Sequence, residues 1–210
     1  DPWHKIEESL TSLKNDLWGL VDRLDALTPY LPTGVLPHLV YDPRQNEIEG
    51  QYLEATVLFA NFSGMDQVIR VHGDDKVSVT ADLSQYFQAM QEEIEYYGGV
   101  VNKVDLYEQG DKLMVLFGAP LAHGKDIRRA ALAALKMQEA MGKLTFDAAN
   151  LLKQRIGIHT GLVFAGNVRS SACNRREYTV MGNEVNIAAR LMEKARFGQE
   201  TELGQILVSQ

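Results

Sequence analysis

Two polar side chains four residues apart, Asn186 and Arg190, are the first candidates for chemistry in this sequence. A β-branched run beginning at Tyr178 passes through Gly182 into a segment rich in small apolar residues, which predicts a strand, a turn and a helix. Residues four apart lie on one face of a helix, and an arginine guanidinium binds phosphate oxygens through a planar fork. The predicted helix is therefore a candidate for contacting a nucleotide, and the alternative is that both side chains are ordinary surface residues.

The composition of the chain excludes several classes of function. With 210 residues and a net charge of -7, the protein can bury a core, but its charge disfavours a general nucleic-acid surface. No apolar run approaches the roughly 20 residues that a membrane span needs. The single cysteine, Cys173, cannot form an internal disulfide and fits a reducing compartment. We therefore expect a soluble, cytoplasmic protein with no membrane span and no nucleic-acid partner.

The N-terminal segment carries a heptad pattern. Apolar residues recur there at alternating spacings of four and three, namely Ile6, Leu10, Leu13, Leu17, Leu20, Leu24 and Leu27. This pattern predicts a coiled-coil or helical-bundle seam, and the alternative is an amphipathic helix packed on the rest of the protein. Pro29 ends the helix, and a short helix over 35–40 and a polar linker over 42–49 follow. We place a helical segment and linker at 1–49 and a globular domain at 50–210.

The globular part has an α+β pattern. Hydrophobic periodicity and turn residues predict, in order, a strand over 54–62, a helix over 75–97, a hairpin of strands over 100–107 and 112–117, a helix over 126–141, a strand pair over 155–161 and 162–168, a polar loop over 169–176, and a last strand over 205–209. Strand, helix, hairpin, helix and strand in this order make the ferredoxin-like βαββαβ pattern. The remaining strand pair and the helix that carries Arg190 are additions to that core.

Four separate motifs in this domain resemble the class III nucleotidyl cyclase homology domain. They are Val-Leu-Phe-Ala-Asn-Phe-Ser-Gly at 57–64, Gly-Asp-Lys-Leu-Met-Val-Leu-Phe-Gly at 110–118, Arg-Ile-Gly-Ile-His-Thr-Gly at 155–161, and the block at 178–191. The resemblance covers 54–209 and implies the class III cyclase fold. It also implies a dimeric site at a head-to-tail interface, where one domain supplies metal ligands and the other supplies base-reading and transition-state residues.

The resemblance implies a degenerate metal site on this chain. Two family aspartates hold two divalent ions, Mg²⁺ or Mn²⁺, and their positions fall on Asp111 and Asn61. An amide oxygen brings no charge, so we expect weaker two-metal binding than a pair of carboxylates gives. Taken alone, an aspartate beside a glycine is more typical of a structural turn, and it is the surrounding motif that favours the metal position for Asp111.

The base-reading positions of the family fall on Lys103 and Thr179, a pair that favours ATP over GTP. Lys103 lies eight residues before Asp111, whereas active family members commonly place the lysine four residues before the aspartate. This longer hairpin is similar to the second, metal-deficient half of soluble and bacterial-type adenylyl cyclases. The alternative for Lys103 is a solvated strand lysine.

The transition-state positions are intact. In the family an asparagine orients the ribose and an arginine neutralises the charge of the migrating phosphoryl group, and these fall on Asn186 and Arg190. The leading hypothesis is that this domain makes cyclic AMP and pyrophosphate from ATP when it pairs with a domain that supplies both aspartates. Two alternatives are a weakly active homodimeric adenylyl cyclase and an inactive regulatory or dimerisation module that binds nucleotide or a small anion.

Overall fold

The computed structural model of the protein describes residues 2–28, 49–105, 111–146, 149–170, 175–198 and 203–209. The chain divides into two compact units, residues 1–43 and 44–210. The predicted elements over 29–48, and residues 106–110 at the end of the first predicted hairpin strand and in its turn, lie outside the described residues. None of the described helices has the length and apolar character required to cross a bilayer.

The N-terminal unit contains one long helix, α1 (Pro2–Leu27). The six leucines of the heptad pattern are each 55–64% exposed. The helix therefore presents a continuous apolar stripe instead of burying it within its own unit, and the predicted helix end before Pro29 is confirmed.

The second unit contains four helices and six strands among its described residues. Their bounds in chain order are β1 (Gln51–Ser63), α2 (Met65–His72), α3 (Lys76–Tyr96), β2 (Val100–Asp105), β3 (Asp111–Phe117), α4 (Asp126–Met141), β4 (Lys153–Ser170), β5 (Arg175–Met181), α5 (Asn183–Lys194) and β6 (Ile206–Val208). A 3₁₀ turn, Ala149–Leu151, precedes β4.

All six strands belong to one sheet with the order β2-β3-β1-β4-β5, and β6 pairs with β4. The pairs along that order are antiparallel, whereas β6 runs parallel to β4. The arrangement of the first four strands with α3 and α4 is the ferredoxin-like core, to which β5, α5 and β6 are added. The predicted α+β fold class is therefore confirmed.

The main core lies between one face of the sheet and helices α3 and α4. Its largest fully buried side chains include Phe62, Tyr86, Met137 and Ile158, and burial of each aliphatic or aromatic chain contributes about 1.5–3 kcal/mol. Helix α3 starts where Asp75 accepts hydrogen bonds from the main-chain amides of Val77 and Ser78. The start of this helix thus follows from a side-chain cap.

Two predictions for this unit are corrected by the structure. The strand pair predicted over 155–161 and 162–168 is one continuous strand, β4, which pairs with β1 from Lys153 to Ala165. Gly161 lies within this strand and is not a turn residue. A Cβ atom there would lie 2.8 Å from the Glu184 side chain of α5. The predicted loop over 169–176 is also too long, since β4 continues to Ser170 and β5 begins at Arg175. Helix α2 was not predicted.

Candidate functional site

Helix α5 lies on the other face of the sheet, against β4. Ala188 and Met192 are fully buried on its inner side. Gly157 of β4 permits this close packing, because a Cβ atom there would lie 2.1 Å from the Met192 amide nitrogen and 2.5 Å from the Ala188 carbonyl oxygen. The path of α5 across the sheet is therefore fixed by a position that has no room for a side chain.

The packing of α5 leaves its opposite side exposed, and Asn186 and Arg190 lie there. They are four residues apart and share one side of the helix. Neither side chain has a hydrogen bond or an ion pair with any described residue. A rigidly docked helix thus presents an amide and a guanidinium to a potential ligand.

Gly157 gives a testable consequence of this packing. We expect Gly157→Ala to lower the free energy of unfolding by about 2–3 kcal/mol, because the added methyl group displaces main-chain atoms of α5. Gly142→Ala is the matched control, since the nearest atom to its added Cβ lies at 3.6 Å. Urea unfolding of both variants measures the difference, and equal stability of the two would contradict the proposed close packing.

Asn61 is fully buried near the end of β1. Its Nδ2 donates to the main-chain oxygen of Asp111 at 3.0 Å, and its Oδ1 accepts from Arg155 Nε at 2.8 Å. Both ends of the amide are therefore used within the protein. The oxygen, the only atom of this side chain that could ligate a cation, faces a guanidinium.

Arg155 connects the position of Asn61 to the C-terminal end of α5. Its Nη1 donates to the carbonyl oxygens of Glu193 at 3.0 Å and Ala195 at 3.2 Å. Its guanidinium also lies 4.5 Å from the centre of the Phe197 ring, a cation–π geometry. These contacts satisfy carbonyls that a helix end leaves without partners and place the positive charge at the negative end of the helix dipole.

Asp111 begins β3, beside the end of β1. Its register partner is Phe62 and not Asn61, so the side chains of residues 61 and 111 leave the sheet on opposite faces. Burial, and to a smaller extent the negative charge of Asp66 in the first turn of α2, raise the pKa of the Asp111 carboxyl. Asp111 thus has an acidic neighbour that sequence reasoning did not single out.

These residues do not fit a pair of divalent ions held by this chain alone. Across the described ranges, no three histidine, cysteine, aspartate or glutamate side chains come together as a metal-binding group. Asp111 offers one carboxylate, whereas the Asn61 oxygen is occupied by Arg155. Lys112 and Arg155, the register partners of Asn61 on its two neighbouring strands, place a cation on either side of that position.

The predicted base-reading residues lie at the β2 and β5 strands. Thr179 on β5 is 8% exposed, and its Oγ1 lies 3.5 Å from Oδ1 of Asn102 on β2. Asn102 Nδ2 also donates to the main-chain oxygen of Tyr178 at 2.8 Å. Lys103 follows directly and is half-buried, so the structure brings β2 and β5 together at this point.

His159 of the 155–161 motif is a packed side chain in β4. Its ring nitrogens contact the carboxylate of Glu184 and the hydroxyl of Ser209, and the residue is 9% exposed. The histidine joins β4, the first turn of α5 and the end of the described chain.

The predicted site residues thus form three groups. Asn61 lies with Asp111 at the ends of β1 and β3, Thr179 lies with Asn102 between β5 and β2, and Asn186 and Arg190 occupy the exposed side of α5. Sequence reasoning did not single out Arg155 or Asn102, whose side chains donate to main-chain oxygens of Glu193 and Tyr178. Two features of the sequence could have indicated these residues: Arg155 begins the motif at 155–161, and Asn102 directly precedes the predicted Lys103.

Comparison with known proteins identifies the second unit. Residues 48–210 match the family described as adenylate and guanylate cyclase catalytic domain. An adenylate cyclase of Mycobacterium tuberculosis is 30% identical over 178 residues, which cover 85% of this chain and 38% of that protein. An uncharacterised protein of the same species is 33% identical over 152 residues, which cover 71% of this chain and 24% of that protein.

Solved structures agree with this match. The guanylyl cyclase Cya2 has a TM-score of 0.62 and 30% identity, with 77% of both chains covered. The adenylyl cyclase CyaB from P. aeruginosa has a TM-score of 0.61 and 30% identity, with 77% of this chain and 79% of that chain covered. With a family match over most of its length and the same fold, the chain belongs to the adenylate and guanylate cyclase catalytic domain family.

Proposed function

We propose that this domain forms an adenylyl cyclase site together with a second cyclase domain that supplies both metal-binding aspartates. The observation that carries the proposal is the contrast between two regions of the chain. Asn61 is buried and bonded to Arg155, whereas Asn186 and Arg190 are exposed on a firmly packed helix. The chain therefore keeps the groups that act on ribose and phosphate but has an uncharged side chain at one metal position.

The roles that we assign follow the chemistry of the reaction. The 3′-oxygen of ATP attacks the α-phosphorus and pyrophosphate leaves, a substitution that needs an in-line geometry and neutralisation of the developing charge. Asn186 orients the ribose, and Arg190 neutralises the phosphoryl charge. Lys103 and Thr179 read the adenine base, and the partner domain holds Mg²⁺ or Mn²⁺ with its two carboxylates.

A homodimer is less well supported by the structure. In a symmetric dimer both sites would carry Asn61, whose oxygen already accepts from Arg155. Asp111 would then be the one carboxylate at the metal positions of each site. We therefore propose that the productive partner is a different cyclase domain.

Helix α1 supplies a means of bringing two such domains together. Its leucines at seam positions are 55–64% exposed, and leucine at these heptad positions is typical of helices that pair through knobs-into-holes packing. We propose that α1 pairs with the corresponding helix of the partner as a coiled coil.

A mixing experiment tests the proposed function. We expect the chain combined with a metal-competent cyclase half and Mg-ATP or Mn-ATP to make cyclic AMP faster than either protein alone. The chain alone with Mn²⁺ should make no cyclic AMP. No gain in any pairing would contradict the proposal, and product from Asn61→Asp alone would locate the defect of the homodimer at residue 61.

Calorimetric measurement of nucleotide binding tests the remaining alternative, an inactive regulatory or dimerisation module. Binding of ATP without turnover in every pairing would support a regulatory or dimerisation module in place of an enzyme. Bicarbonate serves as the small-anion probe in the same titration.

A further inference from the structure

Asn102 occupies an irregular position in β2. The register with β3 shifts between Val101 and Lys103, which leaves Asn102 as the extra residue of a β-bulge. Bulges commonly redirect a side chain out of the regular ladder. Here the redirected amide reaches β5, which stands at the other end of the strand order from β2.

The orientation of the Asn102 amide is determined by Tyr178. The main-chain oxygen of Tyr178 can only accept a hydrogen bond, so the atom 2.8 Å from it must be the amide nitrogen of Asn102. The carbonyl oxygen of the same amide therefore faces the Thr179 hydroxyl, at a distance of 3.5 Å between the two oxygens. The main-chain oxygen of Tyr178 on β5 therefore determines that the carbonyl oxygen of Asn102 faces Thr179, the residue that follows Tyr178.

This orientation determines how Thr179 can interact with a ligand. The Asn102 oxygen is an acceptor only, so the Thr179 hydroxyl directs its hydrogen toward Asn102. Thr179 is 8% exposed, and few water molecules can compete for that hydrogen. The lone pairs of the hydroxyl oxygen remain, which makes Thr179 an acceptor toward anything bound beside it.

We propose that Asn102 is a positioning residue for base specificity, because it holds Thr179 as a hydrogen-bond acceptor. Such an acceptor pairs with the 6-amino group of adenine and opposes the 6-oxo group of guanine or hypoxanthine, which presents lone pairs of its own. This inference rests on the proposed function in one respect, namely that the nucleotide base lies beside Thr179. The inference adds Asn102 to the residues that determine base specificity, and Asn102 acts through Thr179 without contacting the base.

The test compares ATP with inosine triphosphate, which carries a 6-oxo group and lacks the 2-amino group of guanine. Displacement of a fluorescent ATP analogue from the full chain gives both dissociation constants. We expect the wild-type chain to bind ATP about tenfold more tightly than inosine triphosphate, a ratio equivalent to about 1.4 kcal/mol. Asn102→Ala should bring this ratio close to one, because the freed Thr179 hydroxyl can then rotate and donate.

Three further variants complete the test. Thr179→Val removes the acceptor while keeping the side-chain shape, so it should abolish the preference even where Asn102→Ala folds poorly. The double variant should show no further change, because both substitutions remove the same interaction. Asn150→Ala, an exposed asparagine in the 3₁₀ turn before β4, is the matched control and should keep the wild-type ratio.

Several outcomes would overturn the inference. If the wild-type chain bound ATP and inosine triphosphate equally, or bound neither at millimolar concentration, it would have no base preference, and Asn102 could not determine one. An Asn102→Ala chain that loses the same factor of affinity for both nucleotides would show a structural role alone. Selective binding without cyclic AMP in any pairing would instead refute the proposed function and leave the role of Asn102 intact.

Discussion

Arg190→Ala should lower the rate of cyclic AMP formation in the paired enzyme by about a thousandfold, in line with the effect of arginines that neutralise charge in phosphoryl transfer. The residue is exposed on α5, and its guanidinium has no hydrogen bond or ion pair with any described residue. Its removal should therefore leave the fold unchanged. The measurement is the initial rate with the metal-competent partner, together with a urea unfolding curve of the isolated chain.

Two variants serve as comparisons for Arg190→Ala. Lys194→Ala removes another exposed cation in the same helix and should leave the rate within a few fold of the wild type. Arg190→Lys keeps the charge but loses the planar fork, so it should recover only part of the activity. Unchanged activity of Arg190→Ala would contradict the role assigned to this residue.

The order of elements could be predicted from the sequence because its signals are local. Hydrophobic periodicity and turn residues suffice to place α3, α4 and the β2–β3 hairpin. The continuity of β4 could not be predicted, since a glycine at position 161 looks like a turn residue until Glu184 is known to pack against it. From the sequence alone, a glycine required by close packing against a distant element cannot be distinguished from a glycine required by a turn.

The candidate site was predictable to a similar extent. Family motifs singled out Asn186, Arg190 and Thr179 as candidates. Arg155 lies within one of these motifs, but neither it nor Asn102 could be assigned its contacts from the sequence. Arg155 bonds to main-chain oxygens 38 and 40 residues away in sequence, and Asn102 bonds to one 76 residues away. Every residue has a main-chain carbonyl oxygen. The sequence of a segment therefore does not indicate which of its carbonyls accepts a hydrogen bond from a distant side chain.

The contacts of Arg155 also show how α5 is held in place with an uncharged residue at position 61. Its guanidinium holds Asn61 on one side and the last carbonyls of α5 on the other. An uncharged residue at position 61 still accepts from Arg155 Nε, so the link from β1 to α5 does not require a carboxylate. The helix that carries Arg190 is thus anchored without a carboxylate at position 61.

Arg155→Met should therefore produce a large loss of stability, about 3 kcal/mol in the free energy of unfolding. The residue is 7% exposed, and its removal leaves the buried Oδ1 of Asn61 without its Arg155 donor and deprives two helix-end carbonyls of the same guanidinium. Arg155→Lys should recover part of the loss, because a single ammonium group cannot reproduce the fork that spans these acceptors. Arg190→Met deletes the same atoms from the exposed side of α5 and should leave the urea midpoint unchanged. If Arg155→Met and Arg190→Met unfolded at the same urea concentration, the link between β1 and the end of α5 would contribute nothing to the fold.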